Sequence, residues 1–98
     1  MKTIFEYVNV KASDSLESYV NKKMDKLYNQ YPFVIRGDVF FKRESKNDDS
    51  GHICGIRLSA PGPRIYASSD ERSFGNAINE TIDDLKDQLK KRKEKLYQ

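Results

Sequence analysis

The chain has 98 residues, 37% hydrophobic and 34% charged, with eighteen Lys or Arg against fifteen Asp or Glu for a formal net charge of +3. That length supports one domain rather than two cores, and six Tyr with five Phe are more aromatic residues than a disordered chain carries. So small a net charge excludes a strong positive field over the whole molecule, and any polyanion binding has to come from local segregation of charge.

Lys2 to Val10 sets Ile4, Phe5, Tyr7, Val8 and Val10 among polar residues and predicts a first strand. The same segment is no signal peptide, because Glu6 interrupts any apolar core. Ser13 or Asp14 then offers an N-cap, with Glu17 as a capping-box partner three residues after Asp14. Leu16, Val20, Met24, Leu27 and Tyr31 recur at helical spacing, and Tyr19 and Tyr28 widen the stripe of this first helix. Asn29 begins its exit and Pro32 closes it.

Val34 to Arg43 reads as a second strand, with Gly37 a candidate bulge, and Asn47-Asp48-Asp49-Ser50-Gly51 is turn chemistry. His52 to Ser59 is a third strand, Ala60-Pro61-Gly62-Pro63 turns the chain, and Arg64 to Ser69 is a short fourth strand. A long helix follows from Ser73 to Leu96, about 36 Å at roughly 1.5 Å per residue. Its stripe is Phe74, Ile78, Ile82, Leu85, Leu89 and Leu96, with Ala77 beside them.

The order β-α-β-β-β-α predicts an α+β domain of two layers over residues 1–98. Short turns make strands two to four an antiparallel meander, and a right-handed crossover through the first helix sets strand one parallel to its partner. The sheet is therefore mixed and four-stranded. Each helix has a single apolar stripe, so both cover one face of the sheet.

The inventory for catalysis is poor. Cys54 is the only cysteine and reads as a packed strand residue. His52 lies two residues away on the same strand face, but no third group is placed to orient it as a base. Asp48-Asp49 lacks the spacing and terminal Glu of an EF-hand, and no phosphate-binding glycine motif or CxxC pair is present. An enzyme is not expected, nor a cofactor or metal. No apolar run approaches the roughly 20 residues that span a bilayer, so the expectation is a cytoplasmic protein that does not enter a membrane.

The lysines say more. Lys22 and Lys26 lie four apart on the polar side of the first helix, with Lys23 flanking. Lys86, Lys90 and Lys93 follow at i, i+4 and i+7 on the long helix, and Lys91 with Lys95 forms a neighbouring row. If the helices pack side by side, these rows make one cationic surface suited to a phosphate backbone. Against this, acids early and bases late are what the dipole favours in any helix. Pairs such as Asp83 with Lys86 and Asp87 with Lys91 would cancel part of the charge. Among the aromatics, Tyr19, Tyr28 and Phe74 are expected in the core. Of the adjacent Phe40 and Phe41, one must face away from the helices and is then open for base stacking, although the glycine-aromatic signature of an RRM and the GXXG of a KH domain are missing.

Ile65-Tyr66-Ala67-Ser68, Phe74, Ala77-Ile78-Asn79-Glu80, Ile82, Leu85, Gln88-Leu89 and Lys93-Glu94-Lys95-Leu96 resemble the end of the ribosome hibernation promoting factors, also called the ribosome-associated inhibitor or sigma-54 modulation family. Leu16, Tyr19-Val20, Lys23, Lys26-Leu27 and Tyr31 are similar to the family's first helix, so the resemblance spans essentially the whole chain. It implies a fold like a double-stranded RNA-binding domain and a non-enzymatic protein of resting or stressed bacterial cells. Such a protein binds 16S rRNA of the small ribosomal subunit through basic helix surfaces, occludes the tRNA and mRNA path and inhibits translation. Lys23, Lys26, Lys91, Lys93 and Lys95 match basic family positions, while Lys22, Lys86 and Lys90 join them by helical geometry alone.

Asp84 and Asp87 stand where many members are basic, and Ser73-Phe74-Gly75 replaces the usual opening of the long helix. The chain resembles the short form, without a C-terminal dimerisation domain. A monomer is expected, with any ribosome dimerisation left to a second factor. Two readings compete: a protein-interaction module that modulates a transcription or stress regulator, and a generic binder of double-stranded RNA.

Overall fold

The computed structural model describes residues 2–47 and 49–97, the side chain of residue 46 excepted. The elements are β1 (Lys2–Val8), α1 (Asp14–Gln30), β2 (Arg36–Asn47), β3 (Ser50–Ser59), β4 (Ile65–Glu71) and α2 (Phe74–Leu96). They form one sheet in the order β1-β2-β3-β4, with β1 parallel to β2 and the other pairs antiparallel. Both helices lie on one face, as the single apolar stripe of each requires.

Element ends depart from the periodicity for local reasons. β1 stops at Val8, two residues early, because Asn9 takes a φ of 58°, a left-handed conformation that asparagine tolerates and a strand does not contain. Ser13, not Asp14, caps α1, its hydroxyl accepting from the Leu16 amide at 3.2 Å. Glu17 therefore forms no capping box and instead accepts from the Tyr7 hydroxyl at 2.7 Å, tying α1 to β1. Ser73 caps α2 through the Asn76 amide at 3.1 Å, which offsets the low helix propensity of Gly75. The β2–β3 hairpin runs further than its apolar residues indicate, with a register shift between Arg43 and Asn47. Asp48, within the predicted turn and the Asp48-Asp49 pair, lies outside the described residues, while Asp49 pairs with Arg72 at 3.1 Å.

No bulge occurs at Gly37, which pairs regularly with Thr3 and with Leu58. Its glycine identity has a different cause. A Cβ there would stand 2.6 Å from Met24 Cε and 2.8 Å from the Tyr28 hydroxyl, so α1 sits directly on bare backbone of β2. Tyr28 uses the approach to donate to the Lys2 carbonyl at 3.2 Å and to meet Thr3 Oγ1 at 2.7 Å.

The core is one cluster between the layers, with Val20, Met24 and Leu27 from α1, Phe41, Ile56 and Leu58 from the sheet, and Ile78, Ile82, Leu85 and Leu89 from α2. Phe41 is its aromatic hub: the rings of Phe5, Tyr7 and Phe74 lie 6.4, 5.4 and 5.6 Å from it. Strand alternation then turns Phe40 outward, deciding which of the pair is buried. Tyr28 is core as expected, and Phe74 packs against it partly buried; Tyr19 is 38% exposed because its side chain bridges the helices. Thr81, fully buried, donates to the Cys54 carbonyl at 3.0 Å and lies 3.1 Å from Ser69 Oγ, fixing α2 across β3 and β4. Burial pushes the Cys54 thiol up to about 12, far from a nucleophile's range, and His52 packs its edge on the Phe74 ring at 4.9 Å.

Two outcomes follow from this packing. Gly37→Ala should lower stability by about 1–3 kcal/mol in a denaturant melt, since Tyr28 must give up its bonds to make room. Native Cys54 should resist iodoacetamide at pH 8 and react only once the chain is unfolded, because its thiol keeps its proton well above that pH.

Candidate nucleic-acid interface

α1 and α2 run side by side and parallel, each descending antiparallel to the strand before it. Their contacts share a constant offset in sequence. The Tyr19 hydroxyl donates to Asn79 Oδ1 at 2.7 Å, and Lys93 Nζ lies 5.9 Å from the Tyr31 ring. At their far end a groove of about 660 Å³ is lined by Gln30, Tyr31, Lys90, Lys93, Glu94 and Tyr97. α1 therefore ends beside residues 90–93, and the last turns of α2 project past it.

These contacts sort the eight predicted lysines. At about 100° per residue, Lys86, Lys90 and Lys93 fall on the flank of α2 that carries Asn79, and this flank faces α1. On α1, Lys22, Lys23 and Lys26 fall around Tyr19, the residue that faces α2. By this spacing the six lysines fall on the solvent side of the two helices, around the seam between them, where Lys90 and Lys93 line the groove. Lys23 Nζ lies 5.1 Å from the Tyr19 ring, close enough for a cation–π contact to hold it there. Lys91 and Lys95 do not join them. They line a separate groove with Ile65, Gln88 and Arg92, on the β4 flank, so the two rows of α2 form two surfaces rather than the one predicted.

Two acids share the seam, Asp83 by helical spacing and Glu94 in the groove lining, but neither is held in an ion pair among the described residues. All six lysines are exposed or half-buried, and among the described residues none makes an ion pair. The Asp83–Lys86 and Asp87–Lys91 pairs that the sequence offers are not formed. Asp84, which stands where a basic residue was expected, is turned to the other flank: it accepts from Gln88 Nε2 at 3.0 Å, and the same amide donates to the Tyr66 carbonyl at 2.9 Å. Its charge is thus spent on the β4 edge and not on the seam.

Arg92 has a role that the sequence did not disclose. It belongs to the basic run of α2, yet its guanidinium donates from two nitrogens to the carbonyls of Pro61 and Pro63, each at 2.7 Å. Gly62 takes a φ of +96°, and a Cβ there would meet Arg92 at 3.0 Å. Arg92 is a latch on the β3–β4 turn, a task suited to a planar fork and not to a lysine. Neither composition nor spacing separates it from its neighbours; only the proline carbonyls do. Among the described residues no three His, Cys, Asp or Glu side chains gather to hold a metal ion, and no helix is long and apolar enough to cross a membrane.

Residues 3–97 match the family described as sigma 54 modulation protein / S30EA ribosomal protein. A ribosomal subunit interface protein from Coxiella burnetii has a similar structure, with a TM-score of 0.82 at 19% identity over 95% of this chain and 98% of that one. The N-terminal domain of Protein Y from Thermus thermophilus is also similar, with a TM-score of 0.73 at 23% identity over 92% and 93% of the two chains. No curated protein matches the chain significantly by sequence. At these identities the structural likeness establishes the fold.

Arg92→Ala should lower the melting temperature by several degrees, as the turn loses two charge-assisted hydrogen bonds. Lys90→Ala should change it by less than about one degree, as expected of an unpaired surface charge.

Proposed function

The chain belongs to the sigma 54 modulation protein / S30EA ribosomal protein family, and from that premise we propose that it is a ribosome hibernation factor that blocks translation by occupying the small subunit. The observation that supports this most directly is the row of Lys22, Lys23, Lys26, Lys86, Lys90 and Lys93 along two parallel helices, exposed or half-buried and without ion pairs among the described residues. The helices fix the spacing of the lysine backbone positions, and the flexible side chains let the ammonium groups adapt to the regular repeat of phosphates along 16S rRNA. Contact releases counterions from that backbone and supplies affinity without base readout.

The action is steric. A body of 45 × 22 × 18 Å seated by its helices in the path of tRNA and mRNA excludes both while carrying out no chemistry. The likeness to a protein named for the ribosomal subunit interface supports this reading. The site of action is then the cytoplasm, in cells whose translation is at rest. Lys91 and Lys95, on the second flank, contribute at the margin of the same contact, and α2 brings them close to it by projecting past α1.

Sedimentation of the protein with isolated small subunits tests this. Saturable one-to-one binding that tRNA displaces is the expected result, with log affinity falling by about 4 to 5 per tenfold rise in salt if six phosphates are contacted. The combined variant Lys23→Glu, Lys26→Glu, Lys90→Glu and Lys93→Glu should lose co-sedimentation while keeping its circular dichroism spectrum. Undiminished binding by that variant would remove the seam from the interface, and binding indifferent to salt would point to a protein partner instead.

A further inference from the structure

The face of the sheet that the helices leave bare has its own organised surface. Alternation along the strands puts Ile4 and Glu6 of β1, Asp38 and Phe40 of β2, Arg57 of β3 and Tyr66 of β4 on this side. They line a groove of about 720 Å³, which Arg36 and Arg64 close at one end. Phe40 is opposite Gly55 in the β2–β3 register, and a Cβ on Gly55 would run into the Phe40 ring at Cε1 and Cζ. The ring thus lies flat over bare backbone, one side on the sheet and the other toward solvent. Tyr66, 46% exposed, stands one strand beyond, next to Arg57, its register partner.

We propose that this face binds a single-stranded RNA segment, with bases stacked on Phe40 and Tyr66 and the backbone held by Arg57 and Arg64. Charge complementarity selects the occupant. Arg36 is already paired with Asp38 at 2.8 Å, while Arg57 and Arg64 make no ion pair among the described residues, so two guanidinium groups outnumber the remaining carboxylate of the groove, Glu6, beside the half-buried ring of Phe40 and the exposed ring of Tyr66. A guanidinium matches phosphate bidentately and stacks on bases, which a lysine does not. Flat rings on a sheet receive unstacked bases, whereas a duplex hides its base faces. An extended peptide gains most by adding to a sheet edge, whereas this groove runs across the face of all four strands. The site is distinct from the lysine seam, on the opposite side of the sheet, and does not depend on the seam's role.

Fluorescence anisotropy of a labelled six-nucleotide oligouridylate with the intact protein tests the proposal without ribosomes, so failure of the subunit-binding reading leaves this result untouched. Phe40→Leu and Tyr66→Leu should each weaken binding by roughly fivefold to a hundredfold, the range for loss of one stacked base. Phe40→Tyr should restore it. Arg57→Gln, an exposed substitution with no fold cost, should weaken binding and flatten its salt dependence. Photocrosslinking with 4-thiouridine in the same oligonucleotide should label the peptides that contain Phe40 or Tyr66. Crosslinks confined to α1 and α2, equal affinity of the Leu variants and the wild type, or tighter binding of a poly-glutamate peptide than of the oligonucleotide would each overturn it.

Discussion

Two helices share one face of a four-stranded sheet, and the packing between those layers is the constraint from which the other surfaces follow. Each helix has one apolar stripe, and the sheet has one apolar side built around Phe41, Ile56 and Leu58. Burying both stripes there removes the core from water and forces the helices into contact along their flanks. The approach is close because Gly37 has no side chain under Met24 and Tyr28. Thr81 bonds α2 to the β3 carbonyl of Cys54, so the helices have little freedom to slide or part.

Once the helices are parallel neighbours, their polar flanks are no longer equivalent. The inner flanks carry lysine around the Tyr19–Asn79 hydrogen bond. The outer flank of α2 is given over to tethers: Gln88 to the β4 backbone, Asp84 to Gln88, and Arg92 to the proline turn. Cation chemistry divides along the same line. The seam holds lysines, hydrated point charges on flexible stems, while Arg92 uses its fork to hold two carbonyls at once. This separation lets a chain with a net charge of only +3 present a lysine-rich strip.

The same layering leaves the reverse of the sheet uncovered. In an interior strand an outward phenylalanine has nothing to pack on except its neighbours, and Gly55 provides the flat backbone that receives the Phe40 ring. Such a ring is partly protected from water on one side and open on the other. With Tyr66, Arg57 and Arg64 near it, the molecule has two different basic surfaces: one of lysines on helices, one of arginines and rings on strands.

Much of this was legible in the chain itself. Helical and alternating periodicity report which residues avoid water, and so they determined the six elements, their order and the one-sided mixed sheet. The two lysine rows of α2 were also legible, since helical spacing alone places them. What periodicity does not carry is the local backbone conformation and the partner across space. Asn9 ended β1 through its φ, Ser13 rather than Asp14 became the cap, and Gly37 proved to be a place of close approach instead of a bulge. Phe40 and Phe41 are chemically identical neighbours, and only strand register buries one and exposes the other. Arg92 differs from the lysines around it solely because two proline carbonyls lie within its reach. Which lysines face α1 and which face β4 was likewise decided by tertiary packing, because the rotation of a helix about its axis is set by everything its apolar stripe must touch.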